Sequence, residues 1–309
     1  MRNENPRSSI EPPLISIVIP VYNDWAPLEN CLQSLATQIS PPSFEVIVVD
    51  DGSTSEAPNL NFGRDFPLPL RIIRQSHAGT SEARNSGVAA SSGSVLLFTD
   101  ADCVLDAHCL RNLSDAVMND DGSSCFQLNL TGDCSHVVGR AEKLLLSSIQ
   151  NFTLNHEGYI RYLNTSGTAV RRSKLKSGSP LFERRAHRAQ DTLLLSNLIR
   201  NGELPRFVAS ATVLHDVRST VLKYLWKGLH TGYTEGWTYQ TIRSQSVTIR
   251  STFPERYRIL AMMCNASLSP DYGIRPLVVV FLRQSLSLFG YLVYRWFWWG
   301  RSSIHSEGS

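Results

Sequence analysis

Short apolar runs alternate with polar, turn-rich stretches along the first third of the chain. Leu14 to Ile19, Glu45 to Val49 and Val95 to Phe98 have the length and composition of strands buried on both faces, and Leu70 to Arg74 makes a further short strand. Between them, Ala26 to Ala36 sets Leu28, Leu32 and Leu35 at helical spacing, with Pro27 in the first turn. Thr80 to Ala90 reads as a second helix, capped at Thr80 or Ser81, with alanines toward the sheet. Strand, helix and strand in repetition predict an α/β fold with a mostly parallel sheet flanked by helices.

In such sheets, ligands bind outside the carboxyl ends of the strands. Three predicted strands end in notable polar groups: Pro20-Val21-Tyr22-Asn23, Asp50-Asp51-Gly52-Ser53 and Asp100-Ala101-Asp102. The topology turns all three loops toward one crevice. Asp100 and Asp102 point the same way where the chain is extended. Two carboxylates this close repel, and a divalent cation removes the conflict. Mg²⁺ or Mn²⁺ suits hard oxygen ligands, and Mg²⁺ is commonly shared with substrate phosphates. Taken alone, such acids also occur in loops and at helix starts. The sequence has neither G-x-G-x-x-G nor G-x-x-x-x-G-K-[ST], which argues against a dinucleotide and against a P-loop enzyme. The ligand these groups suit is a nucleotide with a diphosphate, held through a divalent ion.

Composition changes this picture little. The chain has 309 residues, 42% hydrophobic and 18% charged, which fits a folded globular protein. A net charge of +3 is too mild to argue for nucleic acid. Six cysteines without a C-x-x-C pair read as reduced and mostly buried. Met1 to Leu14 is polar and proline-bearing, without the apolar core of a signal peptide, so the expected location is cytoplasmic.

Four segments, in order, carry a resemblance. Ser16-Ile17-Val18-Ile19-Pro20-Val21-Tyr22-Asn23, Val48-Val49-Asp50-Asp51-Gly52-Ser53-Thr54, Gly79-Thr80-Ser81-Glu82-Ala83-Arg84-Asn85-Ser86-Gly87 and Asp100-Ala101-Asp102 resemble family 2 glycosyltransferases of the Rossmann-like GT-A fold. The resemblance implies that Pro20 and Tyr22 border the nucleotide base, with uracil the first expectation. It implies that Asp51, or else Asp50, accepts from the base N–H, and that Arg84 lies near the base or diphosphate. Asp100 is implied at the ribose and Asp102 at the metal, Mn²⁺ or Mg²⁺. Asn164 to Arg172 looks like the family's small-residue strand beneath the acceptor site, and Gly178 and Phe182-Glu183 fit the loop after it.

Where the family usually has an acidic pair, this chain has Gln190-Asp191. The chemistry needs one carboxylate: an inverting transfer is a single displacement in which a base takes the acceptor hydroxyl's proton. Asp191 is therefore the candidate base, and it also suits the start of the helix that follows. His215 follows a short apolar strand, Thr212 to Leu214; by resemblance it completes the metal site or contacts phosphates, and a lone histidine there also fits a structural role. The Gln-x-x-Arg-Trp signature of processive members is missing, which favours one or a few transfers.

The expected organisation is a flexible arm over 1–13, a GT-A domain over 14–220 and a helical C-terminal extension over 221–309. Ala141 to Phe152 reads as a helix inside the domain. In the extension, 277–299 is amphipathic. Arg283, Gln284, Ser287, Tyr291, Tyr294 and Arg295 fall on one side, and Leu282, Leu286, Phe289, Leu292, Val293, Trp296 and Phe297 on the other. Such a helix either lies in a membrane interface or docks on the catalytic domain. The reading that results is a metal-dependent, inverting, non-processive glycosyltransferase. It takes a nucleotide-diphosphate sugar to a glycan or lipid-linked acceptor, with peripheral contact at the inner face of a membrane and no nucleic-acid partner. A sugar-phosphate nucleotidyltransferase would need a Gly-rich, basic loop after the first strand, and Pro20 to Asn23 is neither. A catalytically degenerate scaffold has Gln190 in its favour.

Overall fold

The computed structural model describes residues 14–55, 68–175, 180–184, 190–216, 219–243, 253–269 and 272–305. The expected arm over 1–13, Gly178, and Arg188 with Ala189 lie outside these residues.

The sheet grows from β1 (Ile15–Val21), whose seven residues are all buried. Its side chains alternate between two apolar layers: Ile15, Ile17, Ile19 and Val21 enter one cluster, Val18 the other. Covering both faces in this way requires helices on both sides. Helix α1 (Trp25–Ala36) buries Leu28, Leu32 and Leu35 on the first face. Strands β2 (Phe44–Asp50) and β3 (Leu70–Arg74) extend the sheet in parallel on one side of β1, and β4 (Val95–Phe98) pairs parallel on the other. Helix α2 (Thr80–Ala90) covers the second face. A Cβ on Gly87 would lie 2.3 Å from Val18 Cγ1, so only glycine lets α2 ride this close to β1.

Beyond β4 the sheet becomes mixed. The elements are β5 (Cys103–Leu105), α3 (Cys109–Met118), β6 (Cys125–Gly132), α4 (Val137–Thr153), β7 (Thr168–Arg171), α5 (Gln190–Arg200) and β8 (Arg206–His215). The order across the eight strands is β3-β2-β1-β4-β7-β6-β8-β5. Pairs β4–β7, β6–β7 and β5–β8 are antiparallel, while β6–β8 is parallel. The parallel half is the half the apolar runs predict. β5, β6 and the length of β8 are not predicted, and neither is α3.

Helices α6 (Val221–Arg243), α7 (Phe253–Ser267) and α8 (Ile274–His305) complete the chain. They share one apolar cluster with α4, in which Ala141, Leu144 and Leu145 meet Tyr224, Ile259, Met263, Val279 and Val280. The described cysteines are all unpaired thiols; four are buried, while Cys134 and Cys264 are exposed.

Candidate active site

Parallel pairing brings the predicted strand ends together. Val21 lies opposite Asp50 and Val18 opposite Phe98, so the β1, β2 and β4 loops leave the sheet on the same edge. The first two loops are latched. Asn23 sits in the left-handed region (φ 59°), which lets its Oδ1 accept from the Thr54 and Ser55 N–H groups, each at 2.9 Å. Its own N–H donates to Ser53 Oγ at 2.9 Å.

Asp50 and Asp51 are both buried at the crevice floor. Asp50 Oδ1 accepts from the Ser53 N–H at 2.8 Å, and Oδ2 faces Arg74 at 3.5 Å. Asp51 Oδ1 receives Gln75 Nε2 at 2.7 Å and the Ala78 N–H at 2.9 Å. Its Oδ2 receives the Gly79 N–H at 2.9 Å, with His77 Nδ1 also at 2.9 Å. Asp51 thus organises the loop that leads into α2. That loop passes so close to Gly52 (φ 76°) that a Cβ there would meet His77 N at 2.7 Å. The His77 ring stacks on Tyr22 with centroids 4.2 Å apart, giving the crevice an aromatic face above Asp51. Pro20 is buried within β1, opposite Val49.

A second cluster surrounds Arg84, which is only 3% exposed. Its guanidinium donates from Nη2 to Asp100 Oδ1 and from Nη1 to Gln190 Oε1. Asp100 Oδ2 accepts from Ser166 Oγ at 2.7 Å. Four parts of the chain are joined here: α2, the end of β4, the turn before β7 and the start of α5. Gln190 serves Arg84 as a neutral acceptor, leaving the cation's charge for Asp100. Arg84→Met leaves the half-buried Asp100 without its cation, and it is expected to cost about 1–3 kcal/mol of unfolding free energy in urea titrations. An unchanged midpoint would show that Arg84 holds nothing together.

Asp191 stands in the first turn of α5, where Oδ1 accepts from the Thr192 N–H at 2.8 Å. Burial pushes its carboxyl above the usual aspartate range, Asp100 adds to the effect, and the Thr192 N–H and Arg84 oppose it. A carboxylate whose proton affinity is raised in this way suits a base that must take a hydroxyl proton.

Asp102 has a different partner from Asp100. Its Oδ2 lies 3.2 Å from His215 Nε2. The antiparallel β5–β8 pair sets this contact: Cys103 lies opposite His215, and the Asp216 N–H donates to the Asp102 carbonyl at 2.8 Å. On the far side of the ring, His215 Nδ1 lies 3.5 Å from Glu142 Oε1, and Glu142 Oε2 accepts from Tyr224 Oη at 2.6 Å. Burial disfavours a charged imidazole, yet the bonds to Asp102 and Glu142 raise His215 to about 10. Burial likewise opposes the Glu142 carboxylate, and the bond to His215, with Arg283 nearby, lowers it to about 2. Two carboxylates flanking one imidazole leave an excess negative charge.

This donor set fits a divalent ion. One carboxylate oxygen and one imidazole nitrogen 3.2 Å apart could both serve a single divalent ion. A carboxylate on the other ring nitrogen is the arrangement that fixes a metal-binding histidine's tautomer. Another trio, Asp133, His136 and Asp216, also clusters. There His136 Nδ1 accepts the Gly139 N–H at 3.0 Å as the cap of α4. The proton is then on Nε2, 3.6 Å from Asp133 Oδ2, and no lone pair faces the trio. His136 is a capping residue, and a metal there would have to break the cap.

Sequence reading missed Glu142, although it signals itself: it is an acid among the buried positions of α4, between Val138 and Leu145. Tyr224 gave no such signal, because an aromatic residue in a helix is ordinarily core.

Comparison with known proteins gives the fold type and the family. The chain is 36% identical over 94 residues to the glycosyltransferase AglE of Haloferax volcanii, a segment covering 29% of this chain and 31% of AglE. It thus spans about a third of the length of the curated relatives it matches. Two solved structures share the fold at 15% identity. The mannosyltransferase PcManGT of Pyrobaculum calidifontis, in complex with GDP-Man and Mn²⁺, superposes with a TM-score of 0.58 over 93% of this chain and 88% of its own. TarS of S. aureus, residues 1–349 in complex with UDP-GlcNAc, gives 0.53 over 93% and 92%. The fold is therefore of the GT-A type. The model for glycosyl transferase family 2 matches residues 16–177, just over half of the chain, from β1 past β7 and through every loop that opens on the crevice as far as Asp102. Asp191 and His215 fall beyond the matched span, but the strand ends that carry the crevice fall within it, and the chain belongs to glycosyl transferase family 2.

Proposed function

We propose that this protein is a metal-dependent, inverting, non-processive glycosyltransferase. It moves a sugar from a nucleotide-diphosphate donor, a UDP-sugar in the first instance, to a hydroxyl of a glycan or lipid-linked acceptor at the cytoplasmic side of a membrane. The observation that carries the proposal is the Asp102–His215–Glu142 chain at the β5–β8 end, beside the Arg84–Asp100 cluster that also acts on the buried Asp191. PcManGT is described with GDP-Man and Mn²⁺ and TarS with UDP-GlcNAc, which supports the donor class.

Asp102 and His215 would hold Mn²⁺ or Mg²⁺, with Glu142 orienting the imidazole from its other side. When bound, the ion neutralises the charge growing on the leaving diphosphate. The Tyr22–His77 face takes the base, and Asp100, fixed by Arg84 and Ser166, meets the ribose. Asp191 takes the proton of the acceptor hydroxyl as its oxygen forms a bond to the anomeric carbon. The bond from that carbon to the diphosphate oxygen breaks, and the configuration inverts.

Asp191 works only when ionised. Because burial raises its proton affinity, the acid limb of the pH–rate profile is expected above the ordinary aspartate range. The profile of nucleoside diphosphate release checks this. A rate that stays level through that range would remove Asp191 as the base. The scaffold reading keeps one observation, Gln190, which here is engaged by Arg84. A folded protein that turns over no donor with Mn²⁺ would favour it.

A further inference from the structure

From Arg283 onward the polarity of α8 is turned inside out. Its inner face carries Arg283, Ser287, Gly290, Tyr291 and Tyr294 against the rest of the protein. Arg283 stacks over the buried Tyr224 ring at 4.7 Å. The packing with α6 is made by backbone approach. A Cβ on Gly232 would lie 1.7 Å from the Ser287 carbonyl oxygen, and one on Gly290 would lie 2.2 Å from that of Leu229. The large apolar side chains point away: Phe281, Phe289 and Trp296 are 54%, 58% and 69% exposed, with Leu288 and Leu292 between them. On α6, Leu222 and Trp226 are exposed as well. Water alone does not select such a surface.

Charge identifies what covers it. Up to Asp216 the chain has nineteen Lys and Arg against twenty-three Asp and Glu; after Asp216 it has eleven against four. The exposed Arg275 and Arg295 bracket the apolar run of α8, while the exposed Lys223 and Lys227 of α6 lie near Asp24 and Asp102. A second copy would bring a basic face against a basic face. An anionic lipid surface supplies the opposite charge together with an apolar interior. From Arg275 to Arg295 the helix is about 30 Å long, enough to cross a bilayer. It is nevertheless docked: Val279 and Val280 are buried against α4, which also carries Glu142, the partner of His215. Spanning would draw α4 and the site into hydrocarbon.

We propose that the outward face of α8, with the adjoining face of α6, is a monotopic attachment to an anionic bilayer, with α8 lying in the plane of the interface. Tyr224 of α6 bonds Glu142 directly, so the attachment holds the crevice one helix away from the lipid surface. The attachment does not depend on donor chemistry, and it can fail while glycosyl transfer stands.

The test is co-sedimentation of the full chain with phosphatidylcholine vesicles, with and without phosphatidylglycerol. The wild type is expected to sediment with the anionic vesicles, less so with added salt, and weakly with phosphatidylcholine alone. Phe281→Ser/Phe289→Ser is expected to lower the partition coefficient about tenfold or more with its melting temperature unchanged. Equal partition of variant and wild type would overturn the proposal. So would a wild type that stays in the supernatant, or self-association lost in the variant without vesicle binding. Retention in membranes after an alkaline carbonate wash would overturn the in-plane arrangement in favour of spanning. Should the variant fail to fold, quenching of wild-type tryptophan emission by brominated acyl chains decides: quenching supports the attachment, and its absence overturns it.

Discussion

Asp191→Asn is expected to lower turnover by about 10²–10⁴-fold, the usual worth of a positioned general base, while donor affinity stays as it is. Two features of the structure separate these effects. The Asp191 oxygen that accepts from the Thr192 N–H has an equivalent in the asparagine carbonyl oxygen, so the start of α5 keeps its bond. Arg84, Asp100 and Gln190 remain tied to one another without Asp191. The replacement therefore removes the proton acceptor and little else. Single-turnover kinetics beside donor titration checks this. Loss of donor binding in parallel with turnover would make Asp191 a structural residue of α5.

Asp102→Ala is expected to do the reverse of sparing the donor. It takes away the carboxylate oxygen 3.2 Å from His215 Nε2, and with it the Mn²⁺-dependent part of donor affinity, about 100-fold or more. Asp100 cannot take over. Its oxygens are engaged by Arg84 and Ser166, on the other side of the strand end. Asp100 and Asp102 are thus unequal in a way their spacing does not reveal. Asp100→Ala is expected to disturb the Arg84 cluster, whereas Asp102→Ala leaves that cluster whole. Calorimetric titration of the nucleoside diphosphate with and without Mn²⁺ distinguishes the two. Retention of the full Mn²⁺ effect in Asp102→Ala would place the ion elsewhere.

The parallel half of the sheet was legible because each strand is a continuous apolar run bounded by turn residues, and the strand ends carry the polar groups. β6 escaped notice because Gln127 and Asn129 interrupt it; Gln127 is buried and serves the Gly167 and Leu128 carbonyls instead of facing water. The partnership of Asp102 with His215 spans 113 residues and exists only through the β5–β8 register, which no local pattern encodes. Asp51 reads from sequence as a ligand for the base, but the structure also gives it four donors from Gln75 to Gly79, a loop that itself carries no strong pattern. The two sides of α8 were visible as a wheel. Which side faces inward depends on the glycines of α6, since only a backbone without side chains admits Ser287 and Tyr294 so closely.

The central claim is that the crevice at the strand ends holds a nucleoside diphosphate through a metal ion on Asp102. Thermal unfolding of the wild type and Asp102→Ala with UDP, GDP, dTDP and CMP, each with and without Mn²⁺, tests it most directly. Ligand at a hundred times its Kd is expected to raise the wild-type melting temperature by about 5 °C. The account predicts that shift for one nucleoside diphosphate, only with Mn²⁺, and none in Asp102→Ala. No shift with any nucleotide, or the same shift in both proteins, would contradict it.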